Sequence, residues 1–201
     1  MPYRRTPKVQ ERLDALRDSI VAAAVEQLAE HGYAGCSVAA VAERAGVAVG
    51  TVYRHFPTKA ELVVRVFRQV VTREVEAVRE ASAGPGEPAE RVAAVFETFA
   101  ARALKAPRLA YALLAEPVDA LIDAERLEFR RAFRDVVAEH VAAGVRSGAL
   151  PAQDSVLTAA ALVGAAAEVL IGPLRGGAVS DVVELRTFVV RSLGGSDVRH
   201  A

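Results

Sequence analysis

The chain reads as all-α, and three observations say so. Apolar residues recur at three- and four-residue spacing through almost its whole length. Nowhere does the alternation of a half-buried strand interrupt them. The breaks fall at glycine, proline or short polar residues, where helices start and stop. With 201 residues, 52% apolar and 25% charged, the chain has the composition of one large or two small folded domains.

Taken in order, residues 1–12 read as a basic arm, with Arg4, Arg5, Lys8 and Arg12 against Glu11. Residues 13–31 form an amphipathic helix with Leu16, Ile20, Ala23, Ala24 and Leu28 on one face, and Gly32 is its natural stop. Ser37 is suited to cap a short helix carrying Val38, Val41, Ala42 and Ala45, which ends at Gly46. A second short helix carries Val52 and Phe56 until Pro57. Thr58 and Glu61 have the spacing of a capping box and open a long helix over residues 59–81. Residues 82–88, SAGPGEP, are the clearest linker. Further helices are expected over residues 90–105, 109–115, 119–146, 155–171 and 181–193, nine in all. The eighth is apolar nearly all round, which predicts burial on more than one side. Glu168 within it argues against a membrane span.

Two helices as short as those between Ser37 and Pro57 are not stable alone and must pack on each other and on a neighbour. Joined by a glycine-containing turn, they have the form of a helix-turn-helix, whose second helix can enter a DNA major groove. Net charge is zero, which argues against a protein that coats nucleic acid by charge alone. Residues 1–60 nevertheless hold eight Lys/Arg against six Asp/Glu, a weakly basic end on a neutral body.

These residues resemble the TetR family of bacterial transcriptional regulators. The resemblance lies in Ile20-Val21, Ala23-Ala24, Gly32-Tyr33, Ser37-Val38, Val41-Ala42, Ala45-Gly46-Val47, Gly50-Thr51-Val52-Tyr53, His55-Phe56 and Lys59-Ala60-Glu61-Leu62, about the first 70 residues. It implies a DNA-binding domain over residues 13–62, with the helix-turn-helix at 37–56, and a helical regulatory and dimerisation domain over 63–195. It also implies a homodimer on a palindromic double-stranded operator, generally a repressor, often released by a small inducer. Carried over residue by residue, Ser37, His55 and Lys59 would meet phosphates, and Tyr53 the sugar–phosphate backbone or a thymine methyl. Val49, Gly50, Thr51 and Arg54 would occupy the reading positions, and Arg4 and Arg5 of the arm would reach the minor groove or backbone. Only Arg54 among the readers can pair bidentately, most naturally with guanine O6 and N7. The chain departs from the family at Ala48, where a serine cap is usual, at Ala39 and at the apolar Val49.

For the second half, the resemblance implies dimerisation through helices near 155–171 and 181–193. Phe96, Phe99, Tyr111, Leu114, Phe129, Phe133 and Leu162 are the candidates to line a cavity for a small hydrophobic inducer. Arg102, Glu116, His140 and Glu168 are the polar groups that could orient it. The single cysteine, Cys36, excludes an internal disulfide, and no cofactor or metal is expected, since the four histidines are scattered without ligand spacing. No glycine-rich phosphate loop, GxSxG or HExxH motif is present, so an enzyme is not expected. The N-terminus lacks the apolar stretch of a signal peptide, and a cytoplasmic protein is expected. The alternative reading is a helical carrier of small molecules without DNA function, which leaves the first 60 residues unexplained.

Overall fold

The computed structural model describes residues 7–177 and 180–194, with the side chains of residues 180–183 left out. Among the described residues there are nine α-helices and no strand. They are α1 (Pro7–Gly35), α2 (Val38–Arg44), α3 (Val49–His55), α4 (Lys59–Ser82), α5 (Pro88–Lys105), α6 (Pro107–Leu114), α7 (Ala120–Ser147), α8 (Ser155–Leu174) and α9 (Ser180–Ser192). The order is the one the sequence predicts, with element ends shifted by a few residues, most clearly at two places. Helix α1 begins at Pro7, inside the expected arm, because proline is well suited to a first helical turn. Helix α8 runs on through Pro173, where the proline forfeits one helical donor in the last turn.

Local chemistry accounts for the boundaries in the N-terminal part. Ser37 Oγ accepts from the Ala40 N–H at 3.1 Å, and Thr58 Oγ1 accepts from the Glu61 N–H at 3.1 Å. Gly46 closes α2 at φ 66°, in the left-handed region that other residues enter only at a cost. The missing serine cap at Ala48 is a real gap: no side chain bonds the first turn of α3. Gly32 breaks the helical run of α1 at φ 68° and turns the chain toward α2.

One continuous core joins both halves. Helices α1 to α3 close over Ile20, Leu28, Val41, Val52 and Phe56, each at most 3% exposed. In the second half, Phe96, Phe99, Phe129 and Phe133 pack on one another with ring centroids 4.9–6.1 Å apart. Helix α4 belongs to both halves, so residue 62 falls within one helix and not at a linker. Cys36 is buried, and burial pushes its thiol pKa up, the opposite of a reactive thiolate.

Helix α8 departs from expectation. It buries Ala159, Leu162, Ala166, Leu170, Pro173 and Leu174, all toward its own chain. Its other side leaves Val156 at 55% and Leu157 at 69% exposed. The predicted burial on more than one side is therefore absent within a single chain: one face is covered and an apolar one is left open.

Candidate nucleic-acid interface

The outer face of α3 is built from residues 49, 50, 53 and 54, which one turn of helix brings side by side. Val52 at 0% and Phe56 at 3% exposure anchor the opposite side, with the Arg17 guanidinium 5.2 Å from the centre of the Phe56 ring. Val49 and Tyr53 are instead 41% and 47% exposed, two large apolar side chains on a seven-residue helix. Gly50 and Arg54 lie exposed between them. Arg54 Nη2 donates to Thr51 Oγ1 at 3.2 Å, and Thr51 itself is half-buried.

Gly50 has no reason within its own chain. Its backbone is helical, and a Cβ built there would meet nothing within 4 Å. Glycine at such a position costs helix stability relative to alanine.

The expected phosphate-facing residues surround this face unequally. Ser37 is exposed, with its hydroxyl occupied by the cap. His55 is half-buried at the end of α3. Lys59 stands at the N-terminus of α4, where unpaired N–H groups and the helix dipole favour anions. Its Nζ donates to the Tyr33 carbonyl at 2.6 Å and lies 3.9 Å from the centre of the Tyr33 ring. Arg4 and Arg5 lie outside the described residues.

Tyr33 in turn is held by the second half of the chain. Glu116, in the loop between α6 and α7, accepts from the Tyr33 N–H at 2.7 Å through Oε2 and from the Ala34 N–H at 3.0 Å through Oε1. The Tyr33 hydroxyl donates to Asp119, and burial together with that carboxylate raises the pKa of the phenol. Gly32 is required here: a Cβ would lie 3.0 Å from Glu116 Oε2, at a φ that side chains rarely adopt. Arg126 fixes the same loop, donating to the carbonyls of Ala112 and Leu113 at 2.8 and 2.9 Å and to that of Glu116. Sequence reasoning missed this hinge, because its partners lie more than 80 residues apart.

The candidate ligand residues do not all come together. Phe99, Leu114 and Phe129 line a cavity of ≈ 80 Å³ between α4, α5, α6 and α7, with Phe67, Val70, Val71 and Leu113. Phe96 and Phe133 border only a smaller void of ≈ 20 Å³ beside α8 and otherwise pack as core. Tyr111 faces away, into an outer groove shared with His31, Arg108, Glu116 and Arg175. Leu162 is 3% exposed in the core and lines neither space. Of the four polar candidates only Arg102 borders the cavity, joined by Glu74, which the sequence did not single out. Glu168 is exposed, and His140 is half-buried on α7, where burial first and the Arg91 charge second lower its pKa.

The tetR family of bacterial regulatory proteins matches residues 20–66, from the middle of α1 to the first turns of α4. Over this segment the chain is similar to the tetR family. The fatty acid metabolism regulator protein of Bacillus subtilis is 38% identical over 61 residues, 30% of this chain and 31% of that protein. The HTH-type transcriptional repressor KstR of Rhodococcus jostii is 33% identical over 99 residues, 48% of this chain and 45% of its own. The alignments thus span a third to a half of these relatives. Likeness of fold extends much further. The transcriptional regulator FadR of Bacillus subtilis, solved in complex with stearoyl-CoA, superposes with a TM-score of 0.76 at 21% identity, over 89% of this chain and 98% of that one.

Proposed function

We propose that this protein is a sequence-specific DNA-binding regulator, a repressor that acts in the cytoplasm as a homodimer on a palindromic operator and is released by a small, largely apolar ligand. The outer face of α3 carries the reading: Val49 and Tyr53 exposed beside Arg54, with a glycine that no neighbour in the chain requires. Such a face suits thymine methyls and one guanine edge. A carrier without DNA function gives that face no purpose. Arg54 would read the base, and Ser37, Tyr53, His55 and Lys59 would position the helix on the backbone. The open apolar face of α8, continued by Phe188 on α9 at 47% exposure, would join two copies so that two α3 helices meet successive major grooves.

The cavity and the hinge supply a route for regulation. Helix α6 contributes Leu109, Ala110, Leu113 and Leu114 to the cavity wall, and the loop that follows it holds Tyr33, which holds Lys59. A ligand that wedges α6 from α4 would move Glu116 and with it the seat of the recognition unit. The FadR neighbour holds stearoyl-CoA, in keeping with a ligand that has an acyl-like apolar part.

The test is binding to DNA from upstream of the protein's own gene, followed across salt concentrations. Lys59→Gln and His55→Gln should each weaken binding to every sequence and reduce the slope of log affinity against log salt by about one. An unchanged slope removes the residue from the phosphate contacts. Absence of a specific complex at any salt removes the regulator reading.

A further inference from the structure

The cavity has one polar feature, an ion pair between two of the helices that enclose it. Arg102 on α5 donates through Nε and Nη2 to the two carboxylate oxygens of Glu74 on α4, at 2.6 and 2.8 Å. The Glu74 side chain is 19% exposed and that of Arg102 40%, so the pair sits at the rim with the carboxylate on the drier side. The wall beside it is made of Phe67, Val70, Leu113 and Phe129. A guanidinium is a planar fork of donors matched to a carboxylate, whichever molecule the carboxylate belongs to.

Size adds a second constraint. At ≈ 80 Å³ the cavity is about half the ~150 Å³ of an engineered protein cavity that binds benzene. Any ligand larger than a few carbons must therefore spread α4 from α6 to enter. We propose that the cavity takes a molecule with an apolar body and a carboxylate end, and that this end captures Arg102 from Glu74 and so unties α4 from α5. The inference rests on the regulator reading above and names its ligand class and its release step.

The direction of exchange follows from the two partners left behind. A cationic ligand would have to reach Glu74, the drier partner at 19% exposure, from behind the Arg102 guanidinium, which is 40% exposed and is met first. An anionic ligand on Arg102 instead strands Glu74 beside an apolar wall and a second negative charge. An unpaired carboxylate is costly to keep from water, which favours a shift of α4 that brings Glu74, already 19% exposed, further into solvent. Lys59 begins the same helix 15 residues earlier, about 22 Å along its axis, so the shift reaches the recognition unit. Binding of an anion is thereby coupled to the helix that DNA binding depends on.

Decanoate, decanamide and decylamine present one apolar body with an anionic, a neutral and a cationic end. Their binding to the full chain is measured by calorimetry without DNA, and their effect on the DNA complex by fluorescence anisotropy. Decanoate should bind about ten- to a hundredfold tighter than decanamide, the range of a charge-assisted hydrogen-bonded contact, and should dissociate DNA. Arg102→Gln should abolish that preference while decanamide binding stays the same, and Arg102→Lys should restore part of it. Glu74→Gln should tighten decanoate and lessen its effect on DNA, since the carboxylate to be stranded is gone. Tighter binding of decylamine, equal binding of all three, or no binding of any overturns the proposal. Because the ligand measurement needs no DNA, such a result leaves the DNA-binding reading standing, and loss of DNA binding alone leaves the ligand preference intact.

Discussion

Among the surfaces that expose large apolar side chains, those of α3 and α8 differ in what surrounds them. On α3, Val49 and Tyr53 flank a glycine and sit beside an arginine, on a helix whose other side is anchored by Val52. On α8, Val156 and Leu157 continue into Ala160, Ala161 and Gly164, all exposed, with Glu168 as the one charge of the helix. An apolar face with a forked cation suits a polyanion whose groove also offers methyl groups. An apolar face of small residues lets two helices approach closely, and in the proposed homodimer a second copy of the chain would bring the same face to meet it. Similar exposure thus has different meanings, decided by the polar residue at its edge.

Breaking the α8 face should have the largest effect. Leu157→Glu would place a charge in the middle of the proposed contact between copies. Sedimentation should then report a monomer, and operator affinity should fall by roughly a thousandfold, the low end of the gap between specific and non-specific binding. The cost to folding should be slight, because Leu157 is 69% exposed in the single chain. A variant that stays dimeric refutes the assignment of this face. Arg54→Ala should act on the other surface and more selectively. It should lose about 1–3 kcal/mol at a single base pair and leave the dimer unchanged. A binding-site selection that returns the same sequence profile as the parent chain would remove Arg54 from the base contacts.

The contrast also marks what was legible in the sequence. Helix order was, because each stop carries a local signal: Gly32, Gly46 and Pro57 in the first half, Pro107 and Gly148 in the second. The exposed set of α3 was legible for the same reason, since position along a short helix fixes which side chains share a face. The hinge was not. Glu116 reaches Tyr33 across 83 residues, and nothing near either residue announces the other. The cavity was half legible. Leu114 faces it and Tyr111 does not, because the α6 wall is formed by residues 109, 110, 113 and 114, and residue 111 lies off that stripe. Periodicity marked the aromatic residues as one cluster, but only packing separates those that fill the core from those that border the space. Which side of α8 stays open was not legible from its apolar pattern, because a helix apolar nearly all round does not show which side its own chain covers.

Gly50 gives the smallest effect and the sharpest form of the comparison. Alanine there meets nothing within the chain and improves the helix, so Gly50→Ala should raise the stability of the free protein by about 0.5 kcal/mol. The added methyl also stands on the face between Val49 and Tyr53, where the backbone would come closest to DNA. Affinity for the operator should therefore fall while thermal stability rises, and the loss should be greater for the operator than for unrelated DNA, whose looser complex needs no such approach. Ala161→Gly offers the matching change on α8: it should lower stability without altering the DNA sequence preferred. If Gly50→Ala stabilises the protein and binds its operator unchanged, the backbone of α3 does not approach the groove closely, and recognition rests on the side chains of Val49, Tyr53 and Arg54 alone.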